Sequence, residues 1–441
     1  MKEQFLERMH SYLNEEYDAY LRSLNEKPYR GIRINRLKVK EDTMITDAFS
    51  LRPSPFCEDG YYVEDTISGN HPYHLAGLFY MQEPSATSVV SVADIQKGDW
   101  VLDLCAAPGG KSTQIASRLG RSGFLVSNEI VSNRAQILLS NMERMGISEN
   151  MITNTSPAII CKEMQGCFDK VIVDAPCSGE GMFKIHEKAM EDWSEEHVLS
   201  CASRQQSILK EAYRALKQNG ILVYSTCTYA MEENEKCIYE FLKTHPDMEL
   251  LDCHVNFGRG GLAYQDLDVS KVRRIFPMDH GEGHFIAKMR RLSDNPAASL
   301  KIEKEAKLED CVLSFLTSQL DKLPANFMVQ NNKVYAKNSP FIQLKKTKVL
   351  RQGILCGEMV KKRFEPHHHF YMAAALENHR QRWVELDEEE CSIYLSGNVL
   401  NKQTEKGYIA LRFHGHTLGF GKSDGSRIKN KYPKGLRIKS A

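Results

Sequence analysis

The sequence predicts an α/β protein: a doubly wound, mostly parallel sheet preceded by a small α+β module and followed by a small β-rich one. Three observations predict it. From Trp100 onward, short apolar runs of strand character alternate with helical patterns, as in chains that pack helices on both faces of a parallel sheet. Two of those runs, Val171-Ile-Val-Asp174-Ala-Pro-Cys177 and Ile221-Leu-Val-Tyr-Ser-Thr-Cys227, end in an acid and two thiols. In open α/β sheets ligands bind at that carboxyl edge. The last segment instead shows short alternating runs such as Tyr408-Ile-Ala-Leu-Arg-Phe413 with a glycine-rich turn.

Taken in order, the chain opens on a helical pattern (Phe5, Met9, Leu13, Tyr17, Tyr20, Leu21). Its charged start is not a signal peptide in pattern. Arg30-Gly-Ile-Arg33-Ile-Asn-Arg36-Leu-Lys38-Val-Lys40 interleaves apolar residues with cations. It is read as a strand with one basic face, either an RNA-binding surface or a plain solvated one. This gives a first module over residues 1–79. The sheet domain, residues 80–291, begins with strand Trp100–Cys105, a small-residue turn through Thr113, and a helix to Leu119. Gly123–Glu129 is the second strand and Asn133–Met145 its helix; Met151–Thr155 is a short third strand. Phe168–Asp174 is the fourth. A long helix, Val198–Lys217, stops at Gln-Asn-Gly220, and Gly220–Thr226 is the fifth strand. Gly283–Arg291 is a late antiparallel strand. Ser293–Lys307 reads as a linker or exposed helix, opening a middle region over residues 292–385. Residues 386–441 form the β-rich module.

Bulk properties narrow the class. At 441 residues the chain exceeds one core and should hold about three domains. There is no apolar run near the ~20 residues of a membrane span. Twelve cysteines lie outside any C-x-x-C pair, so they read as reduced thiols of a cytoplasmic protein without a zinc site. Net charge is only +1, yet Lys422, Arg427, Lys429, Lys431, Lys434, Arg437 and Lys439 crowd the end of the chain. Local patches of this kind, rather than totals, attract phosphates.

The turn Asp103-Leu-Cys105-Ala106-Ala107-Pro108-Gly109-Gly110-Lys111 is neither G-x-G-x-x-G nor a P-loop. Its glycines allow close approach to a ligand at a helix N-terminus. Glu129, ending the next strand, stands where doubly wound folds place an acid on a ribose diol. Together they favour a cofactor carrying adenosine.

Four stretches, Met81-Gln-Glu-Pro-Ser-Ala86, Asp103 to Lys111, Asp174-Ala-Pro-Cys-Ser-Gly-Glu-Gly181 and Tyr224-Ser-Thr-Cys-Thr-Tyr229, resemble in order and spacing the motifs of the Nop/Sun family. That family comprises S-adenosylmethionine-dependent RNA cytosine-C5 methyltransferases with a Rossmann-like sheet. His280-Gly-Glu-Gly-His-Phe-Ile-Ala-Lys288 and the basic end of the chain are more narrowly similar to the bacterial RsmF type, which modifies 16S ribosomal RNA and ends in a PUA-like module. The resemblance implies S-adenosyl-L-methionine held by Cys105 to Lys111, Glu129 on its ribose, and Asp174 between cofactor and base. It further implies Cys227 as nucleophile, Cys177 in product release, ribosomal RNA as partner, and a monomer. Where the family usually has an acid near the adenine, Thr153-Asn-Thr-Ser156 has none, leaving Asn154 or Ser156.

The chemistry needs such a set. C5 of cytosine is a poor nucleophile until a thiolate adds to C6. That addition needs charge relief at N3, and a base must later take the C5 proton. Chemistry alone leaves open which cysteine attacks. It also leaves open tRNA as substrate, while a non-catalytic RNA-binding assembly factor would show damaged thiols. A nicotinamide oxidoreductase would need G-x-G-x-x-G. Cys161, Cys167, Cys201, Cys237 and Cys253 read as buried packing residues, Met190 and Trp193 as core or, less favoured, as the lining of a base pocket. His367-His-His369 reads as a loop or helix end, since adjacent side chains do not converge on a metal.

Overall fold

A computed structural model describes residues 2–64, 66–185 and 187–438. Its centre is a sheet of strands β1 (Trp100–Asp103), β2 (Phe124–Asn128), β3 (Asn150–Thr153), β4 (Phe168–Asp174), β5 (Leu216–Thr226), β6 (Met248–Leu251), β7 (Arg273–Ile275), β8 (His284–Arg291) and β9 (Val349–Gln352). They lie side by side in the order β6-β8-β5-β4-β1-β2-β3-β9, with β7 also on β8. β3, β2, β1, β4 and β5 run parallel; β8, β6 and β9 pair antiparallel. The strand order reverses direction beside β1, the switch point at which such sheets open a crevice.

Side-chain alternation along the strands divides the core. Val101, Leu125, Ile172 and Val223 face Val89, Ile115, Leu138 and Met142 on one side. Leu102, Val126, Val171 and Leu222 face Ile160, Leu209, Ala212 and Phe241 on the other. Both faces are covered, so the central strands read as continuous apolar runs. The crossover helices are α1 (Gly110–Leu119), α2 (Ser132–Arg144), α3 (Pro157–Glu163), α4 (Glu195–Ala215) and α5 (Glu235–Thr244). Helix α4 starts where the Ser194 side chain accepts the His197 N–H, with Glu195 and Glu196 in its first turn, both favourable at a helix N-terminus.

Several expectations need correction. Helix α4 ends at Ala215, and the chain is already extended from Leu216, four residues before Gly220. Leu216 is fully buried and paired with Phe168; its burial outweighs the stop signal, and Asn219 takes a positive φ of 61° within the strand. Ser293–Lys307 contains no helix: only Lys301–Ile302 is regular, pairing with Ile342–Gln343. The basic face expected over Arg30–Lys40 is largely turned inward. Arg33, 1% exposed, donates to Thr113 Oγ1 (2.7 Å) and the Gly110 carbonyl. Lys38 donates to the Ala76 and Arg144 carbonyls, and Arg36 pairs with Asp42 and Asp59. Buried cations need partners, and the N-terminal module and the sheet domain both supply them.

The outer parts of the chain are not independent beads. The N-terminal strands Gly31–Ile34, Leu51–Pro53, Gly60–Val63 and Phe79–Met81 form an antiparallel sheet. The C-terminal strands Trp383–Leu386, Gly407–Phe413, His416–Ser423 and Ile428–Asn430 form another. Ile32, Ile34 and Phe79 share one core with Leu386, Tyr394, Leu411 and Leu418. β9, from the middle region, extends the central sheet. The first helices, Glu3–Leu13 and Tyr17–Leu24, bury Phe5, Met9 and Tyr20 against Phe183, Trp193 and Tyr229. Trp193 is core, as read from the sequence, and its indole donates to Glu180. His367 caps a short helix, accepting the His369 N–H, with His368 and His369 buried.

Leu411 lies at the centre of the core shared by both chain ends. Leu411→Ala is expected to cost about 2–5 kcal/mol, read as a lower urea midpoint for the loss of both terminal sheets together. Loss of the C-terminal sheet alone would show that the two ends fold separately.

Candidate active site

The carboxyl ends of β1, β2, β4 and β5 surround a cleft of about 680 Å³. Cys105, Ala107, Glu129, Asp174, Cys177 and Cys227 line it, with Ile130, Val131, Arg134 and Ser156 on one side and Arg204, Ser207 and Glu211 of α4 on the other. Of the expected residues, Ala106, Pro108, Gly109, Gly110 and Lys111 are not on the cleft wall; they build the turn behind it. The Ala106 N–H donates to the Asn128 carbonyl, and the Pro108 carbonyl accepts from Asn141. Gly109 has φ +113°, a conformation that side chains disfavour, and an added Cβ would press on Leu138 at 3.2 Å.

Lys111 turns from α1 to Asp174 at the end of β4, Nζ to Oδ2 2.7 Å. Asp174 Oδ1 accepts from Ser225 Oγ at 2.8 Å, because Ser225 is its register partner on β5. Burial raises the Asp174 carboxyl, but the Lys111 charge and the two hydrogen bonds outweigh it and hold it below the usual range. Burial likewise lowers Lys111, and Asp174 more than reverses the effect. The pair is therefore ionised.

Two residues beyond Ser225, Cys227 Sγ lies 3.3 Å from Cys177 Sγ. The hydrogen bond to Cys227, then burial, pushes the Cys177 thiol well above its ordinary value. The two thiols are thus within hydrogen-bond reach of each other. Cys161, Cys167, Cys201, Cys237 and Cys253 are buried free thiols raised by burial, and none lines the cleft. Cys105 does line it, its thiol also raised well above normal by burial.

Glu129 is 3% exposed; Oε1 accepts the Val131 N–H at 2.8 Å and Oε2 faces Arg134 at 3.7 Å. Of the two residues open for the adenine, Asn154 spends its amide on the Glu129 and Ile130 carbonyls. Ser156 is on the cleft. Arg134, Ser225 and the α4 wall were not singled out from the sequence. Arg134 follows Glu129 by little more than a helical turn and Ser225 precedes Cys227 by one strand period, but only the fold shows their partners. Among the described residues no three His, Cys, Asp or Glu side chains converge as a metal site, and no helix is long and apolar enough to cross a membrane.

Asp103 ends β1 beneath the turn. Burial lifts its carboxyl from 3.8 to about 7, against a hydrogen bond from Ser112, and its Oδ1 has no partner. A raised acid favours the fold fully below its unfolded value and loses that contribution as pH rises through its folded one. Relative to Asp103→Asn, the parent protein should therefore lose stability between about pH 4 and 7, measured as urea midpoints at each pH. Parallel curves would dismiss the buried proton.

The family model for 16S rRNA methyltransferase RsmB/F matches residues 90–290. Models for the RsmF N-terminal domain, first C-terminal domain and PUA domain match residues 1–84, 314–374 and 381–438. Ribosomal RNA small subunit methyltransferase F of Vibrio vulnificus is 31% identical over 99% of this chain and 97% of its own. That of Aeromonas salmonicida is 31% identical over 95% and 93%. Among solved structures, a methyltransferase homologue from Pyrococcus horikoshii is 27% identical, covering 66% of this chain and 96% of its own, with a TM-score of 0.59. With near-complete coverage of relatives at 31% identity, and all four domain models in order, the chain belongs to the 16S rRNA methyltransferase RsmB/F family, in its RsmF branch.

Proposed function

We propose that the protein transfers a methyl group from S-adenosylmethionine to C5 of a cytosine in 16S ribosomal RNA, by way of a covalent bond between Cys227 and C6. The carrying observation is the pair of thiols 3.3 Å apart beside the ionised Lys111–Asp174 pair. The relatives' names and the family description supply the RNA class.

The cleft fits the cofactor. Glu129, on the cleft wall, would accept from the ribose hydroxyls. Exposed Ile130 and Val131, with Ser156, form an apolar wall with one hydroxyl for the adenine, in place of an acid. When bound, the cofactor supplies an electrophilic methyl group. Cys227 adds to C6 as the thiolate, and N3 takes a proton that Lys111, 2.7 Å from Asp174, passes through that carboxylate. Forming the Cys227–C6 bond removes the hydrogen bond that most raises Cys177. Cys177, its own proton given up to solvent, then takes the C5 proton, and Cys227 leaves as the thiolate. Bisulfite sequencing of ribosomal RNA with and without the gene tests the reading: one 5-methylcytosine in 16S RNA should disappear, and an unchanged map would overturn it.

The two thiol variants should fail differently. Cys227→Ala should form neither adduct nor product. Cys177→Ala should attack and transfer the methyl, then stall as a protein–RNA adduct that survives a denaturing gel. An adduct in Cys227→Ala alone would reverse the assignment.

RNA affinity should come from the C-terminal sheet. Lys422 and Lys429 face each other across its strands, and Arg427 and Lys434 are exposed nearby; Lys439 lies outside the described residues. Because this sheet shares a core with the N-terminal one, point changes are cleaner than truncation. Changing Lys422, Arg427, Lys429 and Lys434 to Ser should flatten the salt dependence of binding, by roughly 0.7–0.9 per lost phosphate contact. An unaltered slope would remove the patch from the interface.

A further inference from the structure

The stretch Glu83-Pro-Ser85 and the residue His284 meet at the active site although neither has a part in the chemistry above. His284 opens β8, whose register on β5 pairs Phe285 with Thr226 and Ile286 with Ser225. The ladder ends there, and the Cys227 carbonyl is taken by Gly181 instead; His284, two residues before Ile286, projects to the face that carries Ser225. Directly opposed residues of an antiparallel pair project to the same side. The loop before it is held hard against that turn. Gly181 N–H donates to the Cys227 carbonyl at 2.9 Å, and a Cβ on Gly181 would stand only 3.0 Å from Gly283 Cα. Tyr229 and Tyr62 donate to the carbonyls of Glu282 and His280, so the loop is tied from both the sheet domain and the N-terminal module.

The ring's protonation follows from its neighbours. Four donors converge on Glu83: the N–H groups of Ser85, Ala86 and Glu282 and the Ser85 hydroxyl. A hydroxyl has one hydrogen, and Ser85 gives it to Glu83 Oε2 at 2.6 Å. Ser85 Oγ, 3.1 Å from His284 Nδ1, is therefore an acceptor for the ring, and the proton sits on Nδ1. Ser85 is the only side chain that hydrogen-bonds the ring among the described residues. Burial and the Lys111 charge lower the imidazole to about 3, so it stays neutral with a bare lone pair on Nε2. The ring is also near enough to feel the Asp174 charge.

We propose that His284 Nε2 accepts a hydrogen bond from the 4-amino group of the target cytosine, making His284 a residue that selects cytosine over uracil. The assignment rests on the C5 reading above. It follows from the ring's place: Cys227 reaches C6 and Asp174 serves N3, and the 4-amino group is carried by C4, the ring atom next to N3. Cytosine offers a donor there, whereas uracil offers O4, an acceptor that meets the lone pair of Nε2 with repulsion. The Nδ1–Ser85–Glu83 chain keeps the ring from presenting N–H on the wrong side, much as an orienting partner fixes the tautomer of other functional histidines.

The test uses the full-length protein, cofactor, and a synthetic RNA spanning the cytosine mapped by bisulfite sequencing. Its target base is either 5-fluorocytosine or 5-fluoropyrimidin-2-one, which lacks the 4-amino group; both trap the covalent adduct. His284→Phe should slow adduct formation about tenfold with the first RNA, the size of one lost hydrogen bond, and leave the second unchanged. His284→Gln, which keeps an amide acceptor near the position of Nε2, should recover most of the rate on 5-fluorocytosine. With 5-fluorouracil at the target, His284→Phe should gain on the parent protein. Equal slowing of both RNAs would make His284 merely structural and overturn the assignment, as would no slowing of either or no recovery by His284→Gln. Cofactor affinity by calorimetry should be unchanged in each variant. Absence of any adduct with the parent protein would instead sink the C5 reading, and this assignment with it.

Discussion

The contact between Lys111 and Asp174 is the constraint on which the active site depends. It joins the glycine turn after β1 to the end of β4, so these two walls of the site cannot shift independently. Both groups are largely buried, and desolvating either charge alone would be costly. Each offsets the other's cost, and Ser225 takes the remaining Asp174 oxygen. Because Ser225 is two residues from Cys227, the same contact sets the height of Cys227 against Asp174.

A second layer of constraint comes from outside the catalytic sheet. Arg33 of the N-terminal sheet is bonded to Thr113 and to the carbonyl of Gly110, and Gln82 packs against Gly110 so closely that a Cβ would lie 3.1 Å from its amide. The module that precedes the catalytic domain thus braces the glycine turn from behind. The C-terminal sheet in turn covers the N-terminal one. RNA held on the C-terminal cations would therefore pull on a body continuous with the cofactor turn, not on a tethered appendage.

Much of the fold was legible because its signals are local. The parallel strands are buried on both faces and read as apolar runs bounded by glycine and acid, and Asp174, Cys177 and Cys227 stand at the ends of two of them. The misreadings share a cause. Arg33, Arg36 and Lys38 alternate with apolar residues as on a solvated strand, but their partners Thr113, Asp59 and Arg144 are distant in sequence. Leu216 follows a good helix and precedes a good stop signal, yet Phe168 draws it into the sheet.

The sequence by itself determined the central doubly wound sheet, the family, and the identity of the thiols, acid and glycine turn, since these depend on periodicity and on residue types at strand ends. Tertiary structure alone decided which atoms meet: Cys177 against Cys227, Lys111 against Asp174, His284 against Ser85, and the two chain ends in one core. The physical reason is that hydrogen bonds and ion pairs act over about 3 Å. Residues 50 to 200 positions apart come within that distance only after strand register is set, and register is a property of the packed sheet.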